Sequence, residues 1–143
     1  ATYPDHGETL AAIDLAATLA RSGGDPDGDL ARLGQGWIGE EALSIALYCA
    51  LRAETLEDGV ALAVNLTGDS DSTGAIAGNL LGALHGVDAI PQRWLDPLEL
   101  RGTIEEMADD LLSWPQWPIW EVLPDDPAER AAAAYWLDRY PDS

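Results

Sequence analysis

Gly68-Asp69-Ser70-Asp71-Ser72-Thr73-Gly74-Ala75-Ile76-Ala77-Gly78-Asn79-Leu80-Leu81-Gly82-Ala83-Leu84-His85-Gly86 decides how the rest of the chain is read. A polar turn opens it, and from about Ser72 to His85 it is the most apolar helical pattern in the sequence. Ile76, Leu80 and Leu84 fall four apart and are expected in the core. Gly74, Gly78 and Gly82 form an adjoining smooth stripe, along which a neighbouring backbone can approach closely. That pattern suits a helix at the centre of a bundle. The same spacing can pair helices in a membrane, but this helix is too short to span one.

Helical signals continue in both directions. Upstream, a helix is expected from about Gly7 to Arg21, closed by Ser22-Gly23-Gly24. Asp25-Pro26-Asp27-Gly28 reads as loop, and Leu30 to Leu33 as a short turn. The glycine-rich stretch Leu33 to Gly39 leads into a helix from about Glu40 to Arg52, whose acidic start suits the helix dipole. Leu43, Leu47 and Leu51 share one of its faces, with Ile45 and Cys49 close by, so it is expected to be buried on most sides. A further helix covers about Leu56 to Leu66. Downstream, a turn at Trp94–Pro97 precedes a helix from about Leu98 to Ser113. Trp114 to Trp120 cannot be regular helix, because Pro115 and Pro118 lack amide donors. A last helix, about Pro127 to Tyr140, has Asp126 as its cap and Pro127 at its first position. Strand signals are nearly absent. The expected fold class is all-α, a compact helical bundle forming a single domain or partial domain over residues 1–143.

The bulk numbers bound the function. At 143 residues and 47% apolar content, the chain can bury one core. Seven arginines and no lysine stand against 26 acidic residues, for a net charge of −19. That field repels nucleic acid and attracts cations. No transmembrane span and no basic-then-apolar leader are visible, so neither membrane insertion nor secretion is expected. The single Cys49 cannot form an internal disulfide, which fits a cytoplasmic protein. Abundant Ala, Gly, Asp and Arg point to a GC-rich bacterial genome.

Asp69 and Asp71, one residue apart and followed by the Ser72 hydroxyl, suit a hard divalent cation that prefers oxygen ligands. Asp and Ser ahead of a helix are also ordinary capping residues, and spacing alone leaves both readings open. An EF-hand loop is excluded: Asp69, Asp71 and Gly74 match its pattern, but Leu80 stands where the bidentate glutamate belongs. Asp-x-Asp-x-Thr also resembles the first motif of haloacid-dehalogenase phosphatases. That motif ends a buried strand, whereas Thr67-Gly68 precede Asp69 here, and the chain has no lysine for the family's later basic motif.

Taken whole, residues 68–86 resemble the second metal motif of the ADP-ribosylglycohydrolases. The run from Gly36 to Leu51 resembles the segment preceding that motif in the family, and together the two account for most of Leu33 to Leu112. The resemblance implies an all-helical fold holding two Mg²⁺ ions in a cleft and cleaving ADP-ribose from a protein side chain or small molecule. It makes Asp69, Asp71 and Ser72 metal ligands, with Asp71 bridging both ions. It places Gly36 and Trp37 beside the substrate, where the indole can stack on a base or ribose. The family's early Thr-Asp-Asp motif and its catalytic glutamate segment have no counterpart here. The chain thus resembles the carboxyl-terminal half of such an enzyme, and its catalytic residue is unassigned. Two alternatives stand beside the hydrolase reading: an inactive module that binds ADP-ribose or metal, and an interaction domain in which Asp69 and Asp71 merely cap a helix.

Other reactive side chains have plainer roles. His85 is expected to meet the negative end of its helix, and His6 sits in a loop beside Asp5. Cys49 reads as a small core residue. Trp114, Trp117 and Trp120 are expected to form a proline-rich lid over the bundle, docked by Trp136 and Tyr140.

Overall fold

The structure, a computed structural model, describes residues 6–117 and 125–140. Its contacts group the chain into two compact units, meeting in sequence between Asp96 and Pro97. All regular elements among the described residues are helical, as the sequence requires.

The first unit contains α1 (Gly7–Ser22), α2 (Pro26–Leu33), α3 (Gly39–Arg52), α4 (Leu56–Val64), α5 (Ser70–His85) and the short α6 (Gln92–Leu95). The hub is α3, packed against α1, α2, α4 and α5, rather than α5 as expected. Its buried residues are Ala42, Ser44, Ile45, Ala46, Tyr48 and Cys49. The leucine stripe lies to the side: Leu43 and Leu47 are half-buried and Leu51 is exposed. Ala42, Ser44, Ala46 and Cys49 let helices approach α3 closely, while Ile45 and Tyr48 fill the space between them.

The core face of α5 is likewise Thr73, Ala77 and Leu81, which pack with α3 and α4. Ile76 is half-buried, and Leu84 is 68% exposed, so the expected apolar stripe is one step off around the helix. Close approach along the glycine stripe is confined to Gly74, where an added Cβ would come within 2.6 Å of Val64 Cγ1; Gly78 and Gly82 face open space. On α4, Gly59 is the tighter site, with Leu81 Cδ1 2.5 Å from where its Cβ would lie.

Asp25-Pro26, expected to be loop, begins α2. Asp25 accepts the Gly28 amide at 3.0 Å, and Pro26 takes the first helical turn, where its missing amide costs nothing. Asp-Pro marks a helix start as readily as a turn. Tyr48 then donates to Asp29 Oδ2 at 3.0 Å, tying α2 to α3 through a buried hydrogen bond.

The second unit contains α7 (Arg101–Ser113), a 3₁₀ turn at Trp114–Gln116, and α8 (Pro127–Arg139). α7 begins three residues later than expected, because Leu100 takes a left-handed φ of 57° and breaks the helix. Asp126 caps α8 as expected, accepting the Ala128 amide at 2.7 Å. Arg139 and Tyr140 both donate to Asp110, at 2.6 and 2.7 Å, and Arg139 also pairs with Glu106. Trp117 stacks on Trp136 at 3.8 Å and on Tyr140 at 5.4 Å, the docking expected for these rings. Trp120 lies outside the described residues. Among them, no helix is long and apolar enough to cross a membrane.

Candidate functional site

The site forms where two connections meet, the α2–α3 loop and the α4–α5 turn. Gly34 and Gly36 adopt φ values of 113° and 82°, which side-chain-bearing residues rarely take, and this curls the loop back over the start of α3. Glu41, in the first turn of α3, accepts the amides of Gln35 and Gly36 on one oxygen, at 3.1 and 3.0 Å. The Gln35 carbonyl, turned outward, accepts the Asp69 amide at 2.8 Å. A side chain at Gly68 would overlap that same carbonyl, so only glycine lets the two strands of chain close. Gly36 is buried against Thr73 and the Asp69 backbone.

Asp69 sits at the N-cap of α5, which starts two residues earlier than expected. Its Oδ1 accepts the Ser72 amide at 3.4 Å, so the capping role is part of the structure. The Asp69 carboxyl is held below its ordinary range, first by a side-chain hydrogen bond shared with Asp71 and then by Ser72. Asp69, Asp71 and Ser72 thus occupy the cap and first turn of α5, at the positive end of its dipole. Their donor set suits a hard cation in chemistry, though no group of three or more His, Cys, Asp or Glu side chains among the described residues could hold one.

Gly36 thus lies against the acidic turn. Trp37 follows it with a 66% exposed ring, whose Nε1 donates to Gln35 Oε1 at 3.2 Å. The two connections and α2 also border a cleft of about 460 Å³, lined in part by Asp27, Leu30, Gln35, Asn65 and Thr67. Sequence reasoning passed over Gln35 and Thr73 and gave Glu41 only a dipole role. The signal was a carboxylate five residues after a glycine in a tight loop.

The remaining candidates stay structural. Burial pushes the Cys49 thiol up to about 12, which leaves it an inert core residue. His85 occupies the last turn of α5, with its Nε2 buried and without a hydrogen-bond partner among the described residues.

The sequence profile described as ADP-ribosylglycohydrolase matches residues 1–118. The chain is 35% identical over 71 residues to the ADP-ribosylarginine hydrolase Tri1 of Pseudomonas putida, covering 50% of this chain and 19% of that protein. It is 36% identical over 75 residues to the ADP-ribosyl-[dinitrogen reductase] glycohydrolase of Rhodospirillum rubrum, covering 51% of this chain and 26% of the relative. Human ADP-ribosylhydrolase ARH3 is 28% identical over 81 residues, covering 49% and 22% respectively. The matched stretch thus spans only about a fifth to a quarter of these relatives. No solved structure matches the chain.

Proposed function

The chain belongs to the ADP-ribosylglycohydrolase family, and from that premise we propose that it serves Mg²⁺-dependent removal of ADP-ribose from a modified protein or small molecule, as part of a longer enzyme. The observation that carries this reading is the 2.8 Å bond from the Asp69 amide to the Gln35 carbonyl, which sets the expected metal residues beside the expected substrate residues.

In this reading Asp69, Asp71 and Ser72 hold the metal side of the site. A divalent cation bound there supplies Lewis acidity, stabilising negative charge that develops on oxygen. Asp69 has one carboxylate oxygen committed to the Ser72 amide, which fixes the orientation of the other. Gly36 seats the loop against Thr73 and the acidic turn, and the exposed Trp37 ring beside it offers a face for a base or ribose. Mg²⁺ takes about six oxygens, so water, substrate and protein groups beyond Asp69, Asp71 and Ser72 complete its shell. The exposed Trp37 ring favours a second reading, a module that grips ADP-ribose without cleaving it.

Calorimetric titration of Mg²⁺, with and without ADP-ribose, into this chain and an Asp69→Ala/Asp71→Ala variant separates the two. Binding that the variant loses supports the metal reading. Binding of ADP-ribose alone, unchanged in the variant, supports the binding module.

A further inference from the structure

Glu41 is the third residue of α3, after Gly39 and Glu40, with Ile38 at the N-cap. A glutamate at that position ordinarily reaches back to the N-cap amide. Here its carboxylate passes further back, to the amides of Gln35 and Gly36. Two charge-assisted bonds on one oxygen are strong for their size, and they fix the peptide whose carbonyl receives the Asp69 amide. Gly34 completes the arrangement: a side chain there would overlap the Glu41 carboxyl and push it out.

We infer that Glu41 is a positioning residue for the acidic turn, acting through Gln35 to hold Asp69 in place, and that it is not itself a metal ligand. The inference rests on the reading of Asp69 and Asp71 as the metal side of the site. Its structural half, the link from Glu41 to Asp69, can be measured apart from that reading. Groups that orient metal ligands at one remove typically change affinity by about 10–100-fold when removed. The lower end is expected for a residue acting through a loop.

The test combines amide hydrogen exchange with Mg²⁺ titration on the chain and three variants. Glu41→Ala should speed exchange at Gln35, Gly36 and Asp69 while leaving α1 and the centre of α3 protected, and should weaken Mg²⁺ binding about tenfold. Glu41→Gln, which keeps an acceptor oxygen, should restore both. Should Glu41→Ala fail to fold, Glu41→Asp shortens the reach by one methylene and is held to the same outcomes. Unchanged protection of the Asp69 amide in the folded variant overturns the inference, as does failure of Glu41→Gln to rescue. Absence of Mg²⁺ binding by the unaltered chain, with the exchange pattern as expected, overturns the metal reading and leaves the Glu41–Asp69 link standing.

Discussion

The Thr73 hydroxyl on α5 donates to the carbonyl of Ala63 on α4 at 2.7 Å. It also lies 3.0 Å from the Asp69 carbonyl, with Thr73 fully buried. One side chain thus pins the start of α5, and the acidic turn with it, to the neighbouring helix. Thr73→Val keeps the shape and deletes the donor, leaving a buried carbonyl short of a partner. We expect it to destabilise the fold by about 1–3 kcal/mol, read as a lower urea midpoint with an unchanged slope. Thr73→Ser keeps the donor and should lose less. A larger loss in Thr73→Ser than in Thr73→Val would show that the methyl group, not the hydroxyl, holds the junction.

The glycines of α4 and α5 divide by what surrounds them. Gly78 has open space around its Cα, so Gly78→Ala should stabilise α5 by about 0.5–1 kcal/mol through helix propensity. Gly59→Ala gains the same propensity but sets a methyl 2.5 Å from Leu81 Cδ1 and 3.0 Å from Ala53 Cβ. Leu81 can turn aside, whereas Ala53 can yield only by moving backbone. The expected net result is a loss of about 1 kcal/mol. Thermal midpoints of the two variants should therefore move in opposite directions, and a shared direction would refute the packing.

These glycines also show where the sequence stops being legible. The helices, most of their ends, the Asp126 cap and the acidic turn followed from local rules, because caps, prolines and periodic apolar residues act within a few positions. Which face of a helix is buried is set by neighbours. Two four-residue ladders run along α5, Ile76–Leu80–Leu84 and Thr73–Ala77–Leu81, and composition favours the larger side chains. The close approach of α3 and α4 favours the smaller ones. The partnership of Gln35 with Asp69 was equally out of reach, since it joins two loops more than thirty residues apart.

Asp110 makes the second unit acid-sensitive. The Tyr140 hydroxyl, and with it Arg139, holds its carboxyl below the ordinary range. A carboxyl depressed in the folded state contributes stability above its unfolded pKa of about 4, and that contribution is lost as the pH falls through the lower folded value. We expect the attachment of α8 to α7 to loosen over that acid window, seen as loss of the ring-current shifts between Trp117 and Trp136. In Asp110→Asn the same signals should respond little to pH over that range. A wild-type response that survives in Asp110→Asn would assign the titration to another group.

The capping role of Asp69 and the metal role proposed for it can be separated by a single substitution. Its Oδ1 accepts the Ser72 amide, a task an uncharged amide oxygen performs nearly as well. Binding a divalent cation, by contrast, draws on the negative charge that Asp69 and Asp71 bring together. Asp69→Asn should therefore leave the melting midpoint close to the original while abolishing calorimetric Mg²⁺ binding. Asp69→Ala should lose both, with a lower midpoint, because the cap goes with the charge. If Asp69→Asn binds Mg²⁺ as the unaltered chain does, the carboxylate is there for the helix alone, and the acidic turn is a cap that happens to be charged.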